Sequence, residues 1–388
     1  MTRAPTPFDV VVLGGGPAGA AAATILARAG VRNLLVDRGD NGGFKAGEGV
    51  PPAAKPQLRE LGVWDRLARD GHQRSHGNES AWGDSTLRST HFLRDPNGHG
   101  WHLDRARFDA LLRRAAKAAG SDVRVATDAR SIARTGHGWN VTLRDGRTDT
   151  IVHARWLLDC TGRRGWVART ARAARVANDR LVATVSSFAL AREGSDADAD
   201  RDSMTLVESA RDGWWYTSQL PSAGRIVVYL TDARDPSAAR ARTRQGFLRM
   251  VAGTQHVRER LERAAYTIER SPRIVSAGTS RLVRPAGDGW LAAGDAAVSF
   301  DPLSSQGLLT AMDSGMRAAE AIRAHLAGDV VAIDRYCVRM DAVYSAYVTN
   351  KREYSDYERR WAGRPFWSSR HSRPEHQGLS REAGAAHG

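Results

Sequence analysis

Gly14, Gly16 and Gly19 stand at G-x-G-x-x-G spacing directly after the apolar run Val10-Val-Val-Leu13. An alanine-rich stretch follows, then Asn33-Leu-Leu-Val36 and the carboxylate of Asp37. This order of residues binds a dinucleotide. The first glycine permits a tight turn, the second lets a pyrophosphate approach the backbone, and the third lets a helix pack closely on a strand. Pro17 and Ala18 open that helix, whose N–H groups and positive dipole end favour phosphate. Asp37 offers acceptors to a ribose diol, with Arg38 beside it.

Two later segments repeat the pattern of an apolar strand ending in an acid. Arg155-Trp-Leu-Leu-Asp159 runs into Cys160-Thr161-Gly162, and Gly289-Trp-Leu-Ala-Ala runs into Gly294-Asp295. With the N-terminal fingerprint they resemble the FAD-binding fold of the glutathione-reductase type. That resemblance implies FAD rather than NAD, and places Asp295 at the ribityl chain and pyrophosphate. The expected fold is α/β: a Rossmann-like FAD-binding domain, an inserted and mostly antiparallel substrate sheet, and C-terminal helices.

Asp301-Pro302-Leu-Ser-Ser305-Gln306-Gly307-Leu308 then leads into a helix, with Ser304 or Ser305 suited to the N-cap. By resemblance to flavoprotein hydroxylases this segment faces the flavin's N1–C2 carbonyl edge, where a positive helix end stabilises anionic reduced flavin. Lys45 and Glu48 lie in Lys45-Ala-Gly-Glu-Gly-Val-Pro-Pro, the usual position of a loop beside the isoalloxazine. Lys45, Glu48, Ser305 and Gln306 are the candidate catalytic residues. Cofactor contacts are expected from Gly14, Gly16, Pro17, Ala18, Gly19, Asp37, Arg38, Lys45, Arg105, Asp159, Gly162, Gly294, Asp295, Pro302, Gly307 and Leu308. Arg105 matches the arginine that such proteins turn toward FAD, and Arg163 and Arg169 are weighed for nucleotide contact.

An aromatic set forms the third layer. Trp82, Trp214, Trp215 and Tyr216 are the candidate substrate walls in a chain with eleven tryptophans. Adjacent strand residues face opposite sides, so Trp214 and Trp215 cannot share one core: one is expected to line the ligand cavity and the other to pack inside the domain.

Gly47-Glu48 with Pro51-Pro52, Ser80-Ala-Trp-Gly83, Gly100-Trp-His-Leu-Asp-Arg105, Gly213-Trp-Trp-Tyr216 and Glu358-Arg-Arg-Trp361 recur in this order. The chain resembles FAD-dependent monooxygenases related to the tryptophan halogenases. That branch includes flavoproteins that mature tryptophylquinone cofactors in amine dehydrogenases and amino-acid oxidases. Halogenases carry Gly-Trp-x-Trp-x-Ile-Pro and a lysine for hypohalous acid. Here the block reads Gly213-Trp-Trp-Tyr-Thr-Ser-Gln-Leu-Pro221, and His72–Trp82 holds no lysine. The resemblance therefore implies hydroxylation of an electron-rich aromatic, tryptophan or an indole, free or polypeptide-bound, through a flavin C4a-hydroperoxide. NAD(P)H or a partner flavin reductase would supply electrons and O2 the oxygen. A halogenase of altered motif and a double-bond reductase of the geranylgeranyl-reductase type are the alternatives. His72, His76, His91 and His102 are weighed as bases near the ring.

The elements that must position these residues follow from periodicity. Helices are expected over 55–67, 105–119, 236–264, 307–327 and 334–357, and strands over 123–125, 139–143, 150–158, 181–190, 204–208, 214–220 and 225–230. The FAD-binding domain is drawn over 1–75, 103–178 and 274–330, and the substrate domain over 76–102 and 179–273. A helical segment follows over 331–372, then a disordered tail over 373–388. Spaced aspartates between Glu193 and Ser203 read as a solvated loop rather than a calcium site, and no metal is expected.

Composition bounds the rest. In 388 residues, 41% are hydrophobic and 26% charged, as in an ordinary globular protein. No apolar run is long enough to span a membrane, and too few residues precede the first strand for a signal peptide. Two cysteines make neither a disulfide framework nor a metal cluster. A cytoplasmic protein is expected. The net charge of +14 is spread over scattered arginines without a nucleic-acid motif, so no nucleic-acid partner is expected.

Overall fold

Val10, Val11, Val12 and Leu13 are fully buried because the strand Phe8–Leu13 runs through the middle of a parallel sheet. Strands buried on both faces read as continuous apolar runs rather than alternating ones. Asn33–Val36 pairs on one side and Thr148–Asp159 on the other, with Asp122–Arg124 and Trp290–Ala292 outside them. Gly138–Asp145 and Thr127–Thr135 extend the sheet as an antiparallel meander. The computed structural model describes residues 8–39, 45, 47–190, 200, 202–222 and 224–371.

Register brings the chemistry to one edge. Leu13 pairs with both Val36 and Asp159, and Asp159 pairs with Ala292. The segments that leave these strand ends are the Gly14 turn, Asp37, the Thr161-Gly162 turn and Gly294-Asp295. Ligands of open α/β sheets bind at the carboxyl ends of the strands.

Two helices cover the centre of this sheet. Pro17–Arg28 packs on Gly307–Leu326, and their contact is close enough that a Cβ on Gly315 would stand 2.1 Å from the Ala18 carbonyl oxygen. Ala332–Tyr357 lies against the second of them.

The other large sheet runs Tyr266–Ile268, Leu181–Leu190, Arg225–Asp232, Gly213–Gln219, Thr205–Ala210, Gly77–Ala81 and Arg88–His91. Arg273–Ser276 also pairs with Leu181–Leu190. The sheet is antiparallel except where Thr205–Ala210 meets Gly77–Ala81. One face is covered by Pro236–Ala241, Arg244–Ala252 and His256–Arg263, around Phe188, Trp215, Tyr229 and Phe247. Trp214, Val228, Phe366 and Trp367 pack on the opposite face.

The α/β class holds. The single helix expected over 55–67 is two pieces, Lys55–Glu60 and Trp64–Leu67, because Gly62 turns through φ +74° between them. The helical stretch expected over 236–264 is three separate helices. Most of the acidic loop after Glu193, and the tail expected over 373–388, lie outside the described residues.

Candidate functional site

The glycine turn is built as its spacing requires. Gly14 has φ +107°, and a Cβ there would stand 2.2 Å from the Cys160 carbonyl oxygen. A Cβ on Gly19 would stand 1.9 Å from the Gly14 oxygen, so this glycine seats the helix on the strand. Around Gly16 no protein atom lies within 4 Å of a Cβ. A ligand can therefore approach the backbone there.

Asp37 is held by Arg113, whose Nη1 donates to Asp37 Oδ2 at 3.0 Å and to the Gly15 carbonyl at 2.8 Å. Arg113 is buried, and it fixes the glycine turn to the acid. Arg105 and Lys45 converge on one buried carboxylate, Asp109. Lys45 Nζ donates to its Oδ2 at 2.8 Å and Arg105 Nη2 to its Oδ1 at 3.2 Å, while Arg105 Nη1 donates to the Gly47 carbonyl at 2.9 Å. The sequence reading missed both Asp109 and Arg113. Their spacing of four and eight from Arg105 on one helix was the signal.

Glu48 enters from the same loop and is buried. Ser218 Oγ donates to its Oε1 at 2.5 Å and the Gly47 amide to its Oε2 at 3.1 Å. Burial pushes its carboxyl above the ordinary glutamate range, against the hydrogen bonds to Ser218 and the backbone amides. Asp295 is also raised, chiefly by burial, with Arg163, Arg105 and Arg175 opposing. Arg163 lies 3.5 Å from Asp295 and donates to the Phe300 carbonyl at 2.7 Å, so it braces two loops. Arg169 is exposed and stands apart from the cavity lining.

Asp301 caps the turn Pro302–Ser304 by accepting from the Leu303 amide at 3.0 Å, and Lys351 lies 3.4 Å from its other oxygen. Ser305 follows with φ +51°. Neither Ser304 nor Ser305 caps the next helix as expected. Gln306 occupies the N-cap without a side-chain bond, which leaves the amides at Gly307 and Leu308 uncapped.

A cavity of about 590 Å³ joins these parts. It runs from the glycine turn past Glu48, Arg105, Asp295, Pro302, Ser305 and Gly307 to a sheet wall of Val207, Trp214, Tyr216 and Val228. Pro17, Ala18, Asp37, Arg38, Lys45, Gly162, Gly294 and Leu308 also line it.

Five expected site residues do not, and the first of them, Gly19, serves instead to seat the helix on the strand. Trp215 packs under the helices against Tyr229 and Phe247, because strand alternation turns it away from Trp214. Trp82 lies behind Trp214, its indole N–H donating to the Tyr354 carbonyl at 2.7 Å and its ring edge-on to Trp214 and Trp367. Asp159 is fully buried and spends its oxygens on the Thr161 amide and hydroxyl and the Ala168 amide. Gln306 sits at the helix start outside the lining.

None of His72, His76, His91 and His102 lines the cavity. Burial lowers His72 and takes His102 down to about 3. His102 nevertheless reaches the cavity at one remove, since its Nε2 lies 2.9 Å from the hydroxyl of Thr205, a lining residue.

The donor set fits an extended dinucleotide: an open glycine backbone, a carboxylate at the second strand end, and an uncapped helix start facing one long cavity. Comparison with known proteins agrees. The family described as FAD binding domain matches residues 7–351. The chain is 28% identical over 369 residues to the FAD-dependent oxidoreductase LodB of Marinomonas mediterranea, covering 94% of this chain and 97% of that protein. It is 26% identical over 336 residues to a tryptophan 2-halogenase of Chondromyces crocatus, covering 84% of this chain and 63% of that protein. Among solved structures, the myxobacterial chondrochloren halogenase CndH superposes with a TM-score of 0.83 at 26% identity, over 94% of this chain and 86% of that one. QhpG, a peptidyl tryptophan dihydroxylase essential for tryptophylquinone cofactor biogenesis, superposes with a TM-score of 0.69 at 24% identity, over 96% and 81%. At that identity the likeness to QhpG is one of fold. No helix among the described residues is long and apolar enough to cross a membrane.

Proposed function

We propose that this chain, which belongs to the FAD binding domain family and is an FAD-dependent oxidoreductase related to the tryptophan halogenases, is a monooxygenase that hydroxylates an electron-rich aromatic ring. The ring is a tryptophan or another indole, free or within a polypeptide. The observation that carries this reading is the continuity of one cavity from the glycine turn to the wall of Trp214 and Tyr216. Among the described lining residues Lys45 is the one lysine, and Asp109 holds it on the nucleotide side. An ammonium to carry an oxidised halide is therefore not offered at the aromatic wall.

FAD held in this cavity would supply the activation of O2, with electrons from NAD(P)H or a partner flavin reductase. The protein's own part is to bind, orient and exclude water. The open backbone at Gly16 would receive the pyrophosphate, and Asp37 the ribose. The uncapped amides at Gly307 and Leu308 are donors for a ring carbonyl. Trp214 and Tyr216 stack on the substrate, worth about 0.5–1.5 kcal/mol per aromatic pair beyond area burial. Glu48 Oε1, joined to Ser218, accepts the proton that a ring carbon loses as it gains oxygen, and its burial makes it the stronger base. The sheet over 77–91 and 181–276 forms the substrate side and the parallel sheet the cofactor side.

The halogenase relatives support a second reading, halogenation with an altered motif. Mass spectrometry of the product separates the two. With reductant and O2 the mass should rise by whole oxygens at the same rate with and without chloride or bromide. A halide-dependent product would establish the second reading.

A further inference from the structure

Tyr347 and Lys351 lie four residues apart on the helix Ala332–Tyr357, so they share one of its faces. That face joins two distant segments. The Lys351 ammonium donates to Asp179 Oδ2 and, at 3.2 Å, to Thr279 Oγ1, and it stands 3.4 Å from Asp301 Oδ2. The Tyr347 hydroxyl accepts from the Asp301 amide at 2.9 Å and meets Thr279 Oγ1 at 3.2 Å. Its ring packs on Phe300 with centroids 4.4 Å apart. One cation therefore serves two carboxylates in a nearly dry interior, the side chains of Lys351, Asp179 and Asp301 being 10%, 13% and 2% exposed.

The two acids belong to opposite sides of the cavity. Asp179 precedes the strand Leu181–Leu190, whose Ala183 and Val185 line the substrate side. Its Oδ1 accepts from the Leu181 and Thr279 amides at 3.2 and 3.0 Å. Burial alone would raise its pKa, but Lys351 and these amides hold it below the ordinary aspartate range. Asp301 lines the cavity and caps the turn that leads to Ser305 and Gly307. Two arginines of the cofactor side answer to other acids, Arg163 to Asp295 and Arg105 to Asp109. It is Lys351 that meets Asp301.

A carboxylate beside a flavin ring matters most when the ring is reduced. Two electrons and one proton leave the ring one charge more negative, so an unpaired acid on this wall would oppose the change. A stranded carboxylate would also destabilise the apoprotein, since a buried charge without its partner is uncompensated. Lys351 removes both penalties from a helix that itself stands outside the cavity lining.

We propose that Lys351 is a positioning residue for the flavin-facing turn, and that its charge offsets the Asp301 carboxylate so that bound FAD is more readily reduced. This rests on the seating of the flavin ring against Gly307 and Leu308 stated above, and not on the identity of the aromatic substrate. Through Asp179 the same ammonium ties that turn to the substrate sheet.

The test measures the midpoint potential of full-length, FAD-loaded protein without substrate, by stepwise dithionite reduction against a reference dye, so it reads nothing of hydroxylation. Lys351→Met should weaken the binding of reduced relative to oxidised FAD roughly tenfold, a fall of about 30 mV for a two-electron couple. Lys351→Arg should stay near the wild type. Asp301→Asn should shift the potential upward, and adding it to Lys351→Met should return most of the loss. If Lys351→Met fails to fold, Lys351→Met with Asp179→Asn strands one carboxylate instead of two and should show the same fall. An unchanged potential in these Lys351→Met proteins overturns the proposal, as does a fall that Asp301→Asn leaves in place. If Asp301→Asn alone shifts the potential, the ring still lies against this turn; if neither change does, the seating falls with the proposal.

Discussion

Trp214 and Trp215 are consecutive residues whose rings stand in two different cores. Trp215 lies 4.6 Å from Tyr229 and 5.3 Å from Phe247, centroid to centroid, beneath the three helices. Trp214 faces the cavity beside Tyr216 at 6.2 Å, with Trp82 behind it. One peptide bond separates a ring packed in a closed core from a ring on the cavity wall.

Substitution should separate those roles. Trp215→Ala opens a large hole in a closed core and should destabilise the protein by about 3–5 kcal/mol. Trp214→Ala should lower substrate turnover at least tenfold, equivalent to about 1.4 kcal/mol, and keep FAD bound. Thermal unfolding of both FAD-loaded variants, with product formed per folded molecule, checks the pair. Normal turnover in Trp214→Ala would remove that ring from the site.

Gly16→Val should fold and remain colourless. A Cβ at this position meets no protein atom within 4 Å, so the cost is expected to fall on the ligand's space. Gly19→Ala should behave differently, since its Cβ would stand 1.9 Å from the Gly14 oxygen and must displace the helix. Flavin absorbance after equilibration with FAD, set beside far-UV circular dichroism, distinguishes lost binding from lost structure.

Arg113→Met should weaken both the apoprotein and FAD binding. The change leaves the Asp37 carboxylate without a buried partner and frees the Gly15 carbonyl. Breaking such a pair typically costs about 3–5 kcal/mol. Asp37→Asn added to Arg113→Met should recover part of the stability by removing the stranded charge. Urea unfolding of the two apoproteins measures this. A double variant no more stable than the single one would argue against the pairing.

Glu48 gives a pH signature with a definite sign. Its folded-state pKa is raised, chiefly by burial, so between the unfolded value of about 4.3 and the folded one the native protein holds the extra proton. Stability from this group is present below the unfolded value and is lost as pH rises through the folded one. Glu48→Gln removes that loss. The Tm of Glu48→Gln minus that of the wild type should increase as pH rises from 4 to 8, while turnover falls. A difference independent of pH would mean that the carboxyl is not raised.

The sequence by itself determined whatever depends on neighbours along the chain. Glycine spacing specified the turn at Gly14 and the helix seat at Gly19, where a Cβ would meet backbone, and the open approach at Gly16, where it would meet only a ligand's space. Continuous apolar runs ending in a turn located the parallel strands, and their shared register gathered Asp37 and Asp295 at one edge. Alternation said that Trp214 and Trp215 part ways, but which one faces the ligand depends on three helices that lie later in the chain. Tertiary structure alone decided the partners of side chains that bond across long stretches of sequence. Arg113 came to Asp37, Glu48 to Ser218 and His102 to Thr205. A buried polar group takes whichever partner the folded interior brings within reach. That choice is made by packing between distant segments, and no local pattern encodes it.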